Sequence, residues 1–285
     1  MDLFPVALRR LGEKGLSLVL FDPPESSGGS TPFVAPDRVR AKSFADLLRN
    51  ENIDGIIPSR GGYGAIRLLG TLSEELADIP RIPALIGFSD ATNLHAFLWS
   101  RFRAVTFHGP HLRGLNDSEG TFEDFWDVLS GRRGKGCPLT LGETNVVRSG
   151  QASGPLVGGN LETLAHLAGT PWLTPSKDSI LLLEDIDEPL YAIDRALWQL
   201  KHAGFLEGVQ AVILGPFSGR TPRDDDPAEN VVDLLLPLLP AGTPVLISNR
   251  PGHDLPMATW PLGIPVRLDL SRRDPPSLTL LETPF

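Results

Sequence analysis

The 285-residue sequence carries 26 Lys and Arg against 35 Asp and Glu, a formal net charge of -9. That balance argues against a nucleic-acid binder, because phosphate binding needs clustered cations. Hydrophobic residues make up 41% and charged ones 21%, enough to bury a sizeable core in one large domain or two modest ones. A single cysteine, Cys137, excludes an intramolecular disulfide framework, and its Gly-Lys-Gly-Cys-Pro setting reads as a loop thiol. Met1 to Pro5 lacks the basic region, apolar stretch and cleavage site of a secretory leader, and no segment is apolar for long enough to span a bilayer. A cytoplasmic chain with no membrane partner is the expectation.

In chain order, Val6 to Lys14 has helical spacing and Leu16 to Leu20 reads as a strand. Pro36 to Asn50 predicts a helix, Ile53 to Pro58 a strand, Ala65 to Leu72 a helix, Ala84 to Phe88 a strand and Ala91 to Trp99 a helix. Such alternation favours a parallel sheet flanked by helices. From about Ser130 to Gly154 the pattern dissolves into Gly, Arg, Thr and Ser, the composition of a connection. Beyond it, Gly158-Gly159-Asn160 opens a helix to Ala168. Ile180 to Leu183 reads as a strand, Ala192 to His202 as a helix and Val209 to Leu214 as a strand. Val245 to Ser248, Val266 to Leu270 and Ser277 to Leu281 also read as strands, the last two as a hairpin. The expected fold is α/β with two domains: an N-terminal parallel sheet flanked by helices over 1–130, a linker over 131–153, and a mixed β/α domain over 154–285. The active site would lie in the cleft between them.

Several residues in this frame could carry chemistry. Ser89 sits where a strand meets a helix, so a sharp turn could project its hydroxyl into a cleft. A helix N-cap is the competing role, and the surrounding residues are not a G-x-S-x-G elbow. Arg60-Gly61-Gly62-Tyr63-Gly64 also follows a strand. Its glycines suit either an oxyanion hole or a plain reversal, and Arg60 either a substrate carboxylate or a domain-interface ion pair. Glu184 ends a buried strand and could orient a histidine. Asp187 and Glu188, further along the same acidic run, are explained by capping and solvent exposure, and the run lacks a calcium-loop pattern. Of the six histidines, His253 follows a strand in a loop, the favoured place for a general base. His95 and His166 fall in helical patterns, His202 near a helix C-terminus, and the His108/His111 pair lacks further ligands at metal spacing. No metal or cofactor is expected.

Arg60-Gly61-Gly62-Tyr63-Gly64, Ile86-Gly87-Phe88-Ser89-Asp90 and Thr106-Phe107-His108-Gly109-Pro110 together resemble the N-terminal signatures of the LD-carboxypeptidase family. Gly158-Gly159-Asn160-Leu161, Leu183-Glu184-Asp185-Ile186, Ile193-Asp194-Arg195 and Gly252-His253, followed by Pro261-Leu262-Gly263, resemble its C-terminal ones. The resemblance implies a triad of Ser89 as nucleophile, Glu184 as orienting acid and His253 as base. It places the oxyanion donors at the backbone N–H groups of Asp90 and Gly62, with Arg60, Tyr63 and Asn160 as candidates for substrate binding. It also implies release of terminal D-alanine from murein tetrapeptide in cytoplasmic cell-wall recycling, and a homodimer. Members of the family carry a strand ahead of the helix matching Val6 to Lys14, and its absence here predicts an open sheet edge. The resemblance extends to microcin C self-immunity hydrolases, which would need an aromatic shelf for a base; Trp172 and Trp260 are the residues to consider. A non-catalytic peptide-binding protein is the reading from another class.

Overall fold

The computed structural model describes residues 4–21, 33–76, 79, 81–221, 223, 226–271 and 275–285. The chain is an α/β protein with two sheets. The N-terminal sheet contains β1 (Gly55–Ile56), β2 (Ala84–Gly87), β3 (Thr106–His108) and β9 (Trp260–Leu262), in the order β1-β2-β3-β9. Its first three strands are parallel; β9, arriving from far along the chain, pairs antiparallel with β3 through Phe107↔Pro261. Helices cover both faces. Leu85 points into a core built with α2 (Asp37–Arg49), α3 (Leu69–Glu75) and α4 (Thr92–Phe102). Its neighbour Ile86 points oppositely, into a core with α1 (Pro5–Glu13), α5 (Leu112–Asp117) and α6 (Glu119–Leu129).

The second sheet holds seven strands in the order β11-β10-β5-β6-β7-β8-β4. These are β4 (Thr144–Arg148), β5 (Gln151–Asn160), β6 (Ile180–Ile186), β7 (Ala211–Ser218), β8 (Val245–Ser248), β10 (Pro265–Asp269) and β11 (Ser277–Leu280). The β5-β6-β7-β8 centre is parallel, and antiparallel strands close both sides. The continuous apolar run Ile180-Leu181-Leu182-Leu183 belongs to a central strand buried on both faces. Leu181 and Leu183 pack under α7 (Leu161–His166), α8 (Leu190–His202) and α9 (Val231–Leu235). Ile180 and Leu182 face Trp260, Leu262 and the β10–β11 hairpin.

Two expectations change. Leu16 to Leu20 is not a strand: it forms no ladder, and Leu16, Leu18, Val19 and Leu20 are 42–70% exposed. An apolar run becomes a strand only beside a partner that takes its N–H and C=O groups, and among the described residues none does. β1, at the end of the sheet order, is only two residues long. The stretch 131–153, read as a connection, contains β4 and the start of β5. β4 pairs antiparallel with β8 with a register shift between Val146 and Arg148, an irregularity that its polar composition does not advertise. The reading of 272–274 within the hairpin turn lies outside the described residues, but the hairpin itself pairs Val266 with Leu280.

The crossing of β9 into the N-terminal sheet also fixes the loop that precedes it. Asp124 on α6, 7% exposed, accepts the Thr259 N–H at 2.7 Å and ion-pairs with Arg133 at 2.8 Å. Thr121 Oγ1 accepts the Met257 N–H at 2.9 Å. Asp124→Ala leaves the Thr259 donor without its partner and Arg133 with only the more distant Asp127 at 3.7 Å, and should lower unfolding free energy by about 1–3 kcal/mol in urea denaturation. Wild-type stability would show that water replaces the carboxylate without loss.

Candidate active site

β2 ends at Gly87, and the chain then reverses within two residues. Phe88 is extended (φ -150, ψ -175), while Ser89 adopts φ 60, a left-handed conformation that costs a non-glycine residue roughly 1–3 kcal/mol. Gly87 permits the reversal, since a Cβ there would stand 2.9 Å from the Cβ of Ala91. A short 3₁₀ turn, Ser89–Ala91, leads into α4. The capping alternative for Ser89 is not realised: neither the turn nor α4 receives a side-chain cap. Strain without a capping reward is what a serine aimed into a cleft would show.

Glu184 lies on β6 at a register shift between Leu183 and Asp185, and is fully buried. Its Oε2 is 2.8 Å from Nδ1 of His253, while Oε1 is buried with no hydrogen-bond partner. With the imidazole donating from Nδ1, Nε2 is left as the basic nitrogen. Two glycines admit the His253 loop to this carboxylate. A Cβ on Gly215 would meet the Pro251 carbonyl oxygen at 2.1 Å and the Glu184 Cβ at 2.8 Å. Gly252, at φ 150, leaves room that a Cβ would fill 3.2 Å from Glu184 Oε2.

Electrostatics separate His253 from the other histidines near Phe88. The Phe88 ring stacks on His111 at 4.3 Å and meets His253 edge-on at 4.8 Å and His108 at 6.3 Å. Burial lowers His95 and His111 to about 4 and takes His108 well below the ordinary value, so all three are neutral near pH 7. Burial also opposes the charged form of His253, but the Glu184 hydrogen bond and charge, with Asp185 and Asp254 behind them, raise it above 6.5. For Glu184 burial dominates and holds the carboxyl above its ordinary range despite the imidazole. His166 is exposed beside Glu162 at 3.7 Å, and His202 stacks on Trp198, both on helices away from these residues. Ser89 itself makes no hydrogen bond to His253 here; such contacts are commonly long in free enzymes and tighten on substrate.

The Arg60 loop borders a cavity of about 440 Å³ lined by Arg60, Gly62, Tyr63, Asp90 and His111. Among the described residues, no backbone carbonyl of the surrounding turns accepts the Gly62 or the Asp90 N–H. Tyr63 is 70% exposed and lies 5.8 Å from the ring of Phe33, a neighbour that sequence reading did not single out. Asn160 is buried and tied into the fold: its Oδ1 accepts from the Thr163 N–H and hydroxyl at the start of α7, and its Nδ2 donates one N–H to Asp185 at 2.7 Å. Asp185 in turn accepts the Glu162 and Ile186 N–H groups, so it is a structural acid behind the site rather than part of a loose acidic run. Among the described residues no group of three or more His, Cys, Asp or Glu side chains is arranged to hold a metal ion.

Residues 3–109 match the LD-carboxypeptidase N-terminal domain and residues 153–268 match the LD-carboxypeptidase C-terminal domain. The chain belongs to the LD-carboxypeptidase family. A Streptomyces coelicolor protein, provisionally named a carboxypeptidase, is 34% identical over 82% of this chain and 74% of its own length. A Bacillus subtilis protein named as a probable murein peptide carboxypeptidase is 28% identical over 94% of this chain and 84% of its own. Among solved structures, muramoyltetrapeptide carboxypeptidase from Oxalobacter formigenes has a TM-score of 0.74 at 26% identity, covering 98% of this chain and 94% of that one. The wild-type apo form of the microcin C7 self-immunity protein MccF has a TM-score of 0.81 at 25% identity, covering 99% and 91%.

The His253–Glu184 contact yields a pH prediction. If His253 is a general base it must be neutral to act, so with its pKa raised above 6.5 the rate should fall as pH drops through a value above 6.5. Glu184→Gln removes the charge that offsets burial, and should move this acid limb to lower pH while reducing kcat by roughly 10²–10⁴. An unmoved limb in the kcat/KM profile would detach His253 from Glu184. Gly252→Ala, which crowds the same contact, should lower kcat at least tenfold in the same assay, with wild-type turnover as the opposing result.

Proposed function

We propose that this family member is a serine-type LD-carboxypeptidase that releases terminal D-alanine from murein-derived tetrapeptide. The observation that carries the reading is the strained, uncapped Ser89 turn beside a histidine whose Nδ1 is held by a buried carboxylate. In this scheme Nε2 of His253 accepts the Ser89 proton as Oγ attacks the scissile carbonyl. The N–H groups of Asp90 and Gly62 receive the oxyanion. His253 then protonates the departing amino group of D-alanine. A water, deprotonated by the same imidazole, opens the acyl-enzyme and returns Ser89 to its free form. Glu184 keeps the imidazole in the tautomer that leaves Nε2 basic. Arg60 and Tyr63, on the cavity wall, are the residues proposed to contact the peptide. Within the same proposal the enzyme works as a cytoplasmic homodimer in cell-wall recycling; no described helix is long and apolar enough to cross a membrane.

The likeness to MccF favours a second reading, hydrolysis of an amide joining an acyl group to a nucleotide-like moiety. MccF of Escherichia coli is 27% identical over 86% of this chain, and one of its solved forms holds aspartyl sulfamoyl adenosine. The tryptophans considered for a base-stacking shelf do not supply one. Trp260 is fully buried with Nε1 donating to the Thr140 carbonyl, and Trp172 packs against the α2–α4 core. Their placement leaves the peptide as the better substrate.

Purified protein should release D-alanine from a tetrapeptide ending in D-alanine, leave the L-alanine analogue intact, and turn over aspartyl sulfamoyl adenosine more slowly. Ser89→Ala and His253→Ala should each reduce kcat by roughly four to six orders of magnitude. A fluorophosphonate should label Ser89, and His253→Ala should abolish labelling. Faster turnover of the sulfamoyl adenosine would favour the second reading. Folded wild-type protein that neither labels nor hydrolyses would be a binding protein.

A further inference from the structure

The backbone that lines the cavity is clamped at both ends. On the near side Leu112 and Arg113 donate to the carbonyls of Pro58 and Ser59 at 2.9 and 3.1 Å. Gly61 lies against the His111 ring, where a Cβ would come within 3.0 Å of Cε1. On the far side Gly64 turns at φ 111, a Cβ there would collide with the Phe33 ring at 2.7 Å, and the next residue, Ala65, donates its N–H to Asp90 Oδ2 at 2.9 Å. Asp90 Oδ1 is held in turn by Asn93 Nδ2 at 3.0 Å, and Asn93 also reaches the Asp90 carbonyl at 3.1 Å from the first turn of α4. One side chain thus joins the nucleophile turn to the glycine loop, and its own residue follows Ser89 directly.

We propose that the Asp90 carboxylate is a positioning residue that sets the separation between the two oxyanion donors, its own backbone N–H and that of Gly62. This rests on the reading of Ser89 as nucleophile, and adds to it a role for a side chain that touches no substrate. Two N–H groups on different loops stabilise an oxyanion only at fixed spacing, because the gain depends on preorganised dipoles at hydrogen-bond distance. Without the carboxylate the Gly64 end of the loop loses its tie while the Pro58 end stays anchored. The loop then swings about that end, and Gly62 lies between the two. Substrate contacts made by exposed Arg60 and Tyr63 tolerate such motion better than a donor that must meet a developing charge.

The test compares Asp90→Ala, Asp90→Asn and Ala65→Pro with wild type and Ser89→Ala, reading kcat, KM and melting temperature on a D-alanine tetrapeptide. Asp90→Ala should lower kcat by roughly 10²–10³, the effect of one lost oxyanion donor, with KM changed by less than about threefold. Asp90→Asn should recover at least tenfold of that, since its amide oxygen can accept the Ala65 N–H. The new amide nitrogen then faces Asn93 Nδ2, which keeps its bond to the residue-90 carbonyl, so the recovery is partial. Ala65→Pro deletes the donor from the opposite side, and the φ of -64 at Ala65 suits proline, whose Cδ takes the place of the amide hydrogen and displaces the carboxylate from the loop. It should lower kcat in the same direction, and it decides the matter if Asp90→Ala does not fold. Wild-type kcat in Asp90→Ala, a loss confined to KM, or Ala65→Pro as fast as wild type would each overturn the inference. Ser89→Ala separates the two levels. If it hydrolyses like wild type, the nucleophile assignment has failed. If it is inactive while Asp90→Ala and Ala65→Pro turn over normally, only the role of Asp90 has.

Discussion

A carboxylate with no solvent exposure, Glu184, has the imidazole of His253 as its single hydrogen-bond partner among the described residues. Burying an ionisable group is costly unless something on the protein takes its charge, so Glu184 and His253 stabilise each other or neither is tolerated there. The two come from strands and loops 69 residues apart in sequence. Much of the surrounding architecture serves that encounter. The register shift in β6 places Glu184 opposite the Gly215 region of β7, and the absence of side chains at Gly215 and Gly252 lets the Pro251–His253 backbone close over it.

The histidine loop is also held from the other side. Asp124 and Thr121 take N–H groups of Thr259 and Met257, and β9 continues the N-terminal sheet from the following residue. The C-terminal half of the sequence therefore contributes a strand to the N-terminal sheet. The two halves of the candidate site are joined by continuous hydrogen bonding rather than by a loose interface. This is how Ser89, at the end of β2, comes to lie one residue from the phenyl ring that touches His253. A site assembled from two halves needs such a brace if its groups are to stay within reacting distance.

Phe88 has a further effect through the company it keeps. Its ring is surrounded by His108, His111 and His253, and His95 bonds the adjacent Gly87 carbonyl at 2.9 Å. Burial keeps three of the four uncharged, so the pocket accumulates little positive charge even though it is rich in imidazole. Only the ring that meets a carboxylate can be protonated at ordinary pH.

Periodicity and composition determined a good deal by themselves. The β-α alternation of both halves, the central strand at Ile180–Leu183 and the C-terminal hairpin are where the apolar pattern placed them, because local spacing fixes which face of an element is buried. The ordered motifs led to the family, and they contained Ser89, Glu184 and His253. Pattern alone could not exclude a strand at Leu16–Leu20, an apolar run that finds no ladder partner among the described residues. Nor could it find β4 in a polar stretch or send β9 back to the first sheet. The bonds of the Asn160 amide to Asp185 and Thr163 were not legible in the sequence either. The strained φ of Ser89, the gaps at Gly215 and Gly252, and the tie from Asp90 to Ala65 are likewise tertiary facts. The reason is physical: a residue's type fixes what it can bond, but long-range pairing decides which atoms come within reach and which are left without water.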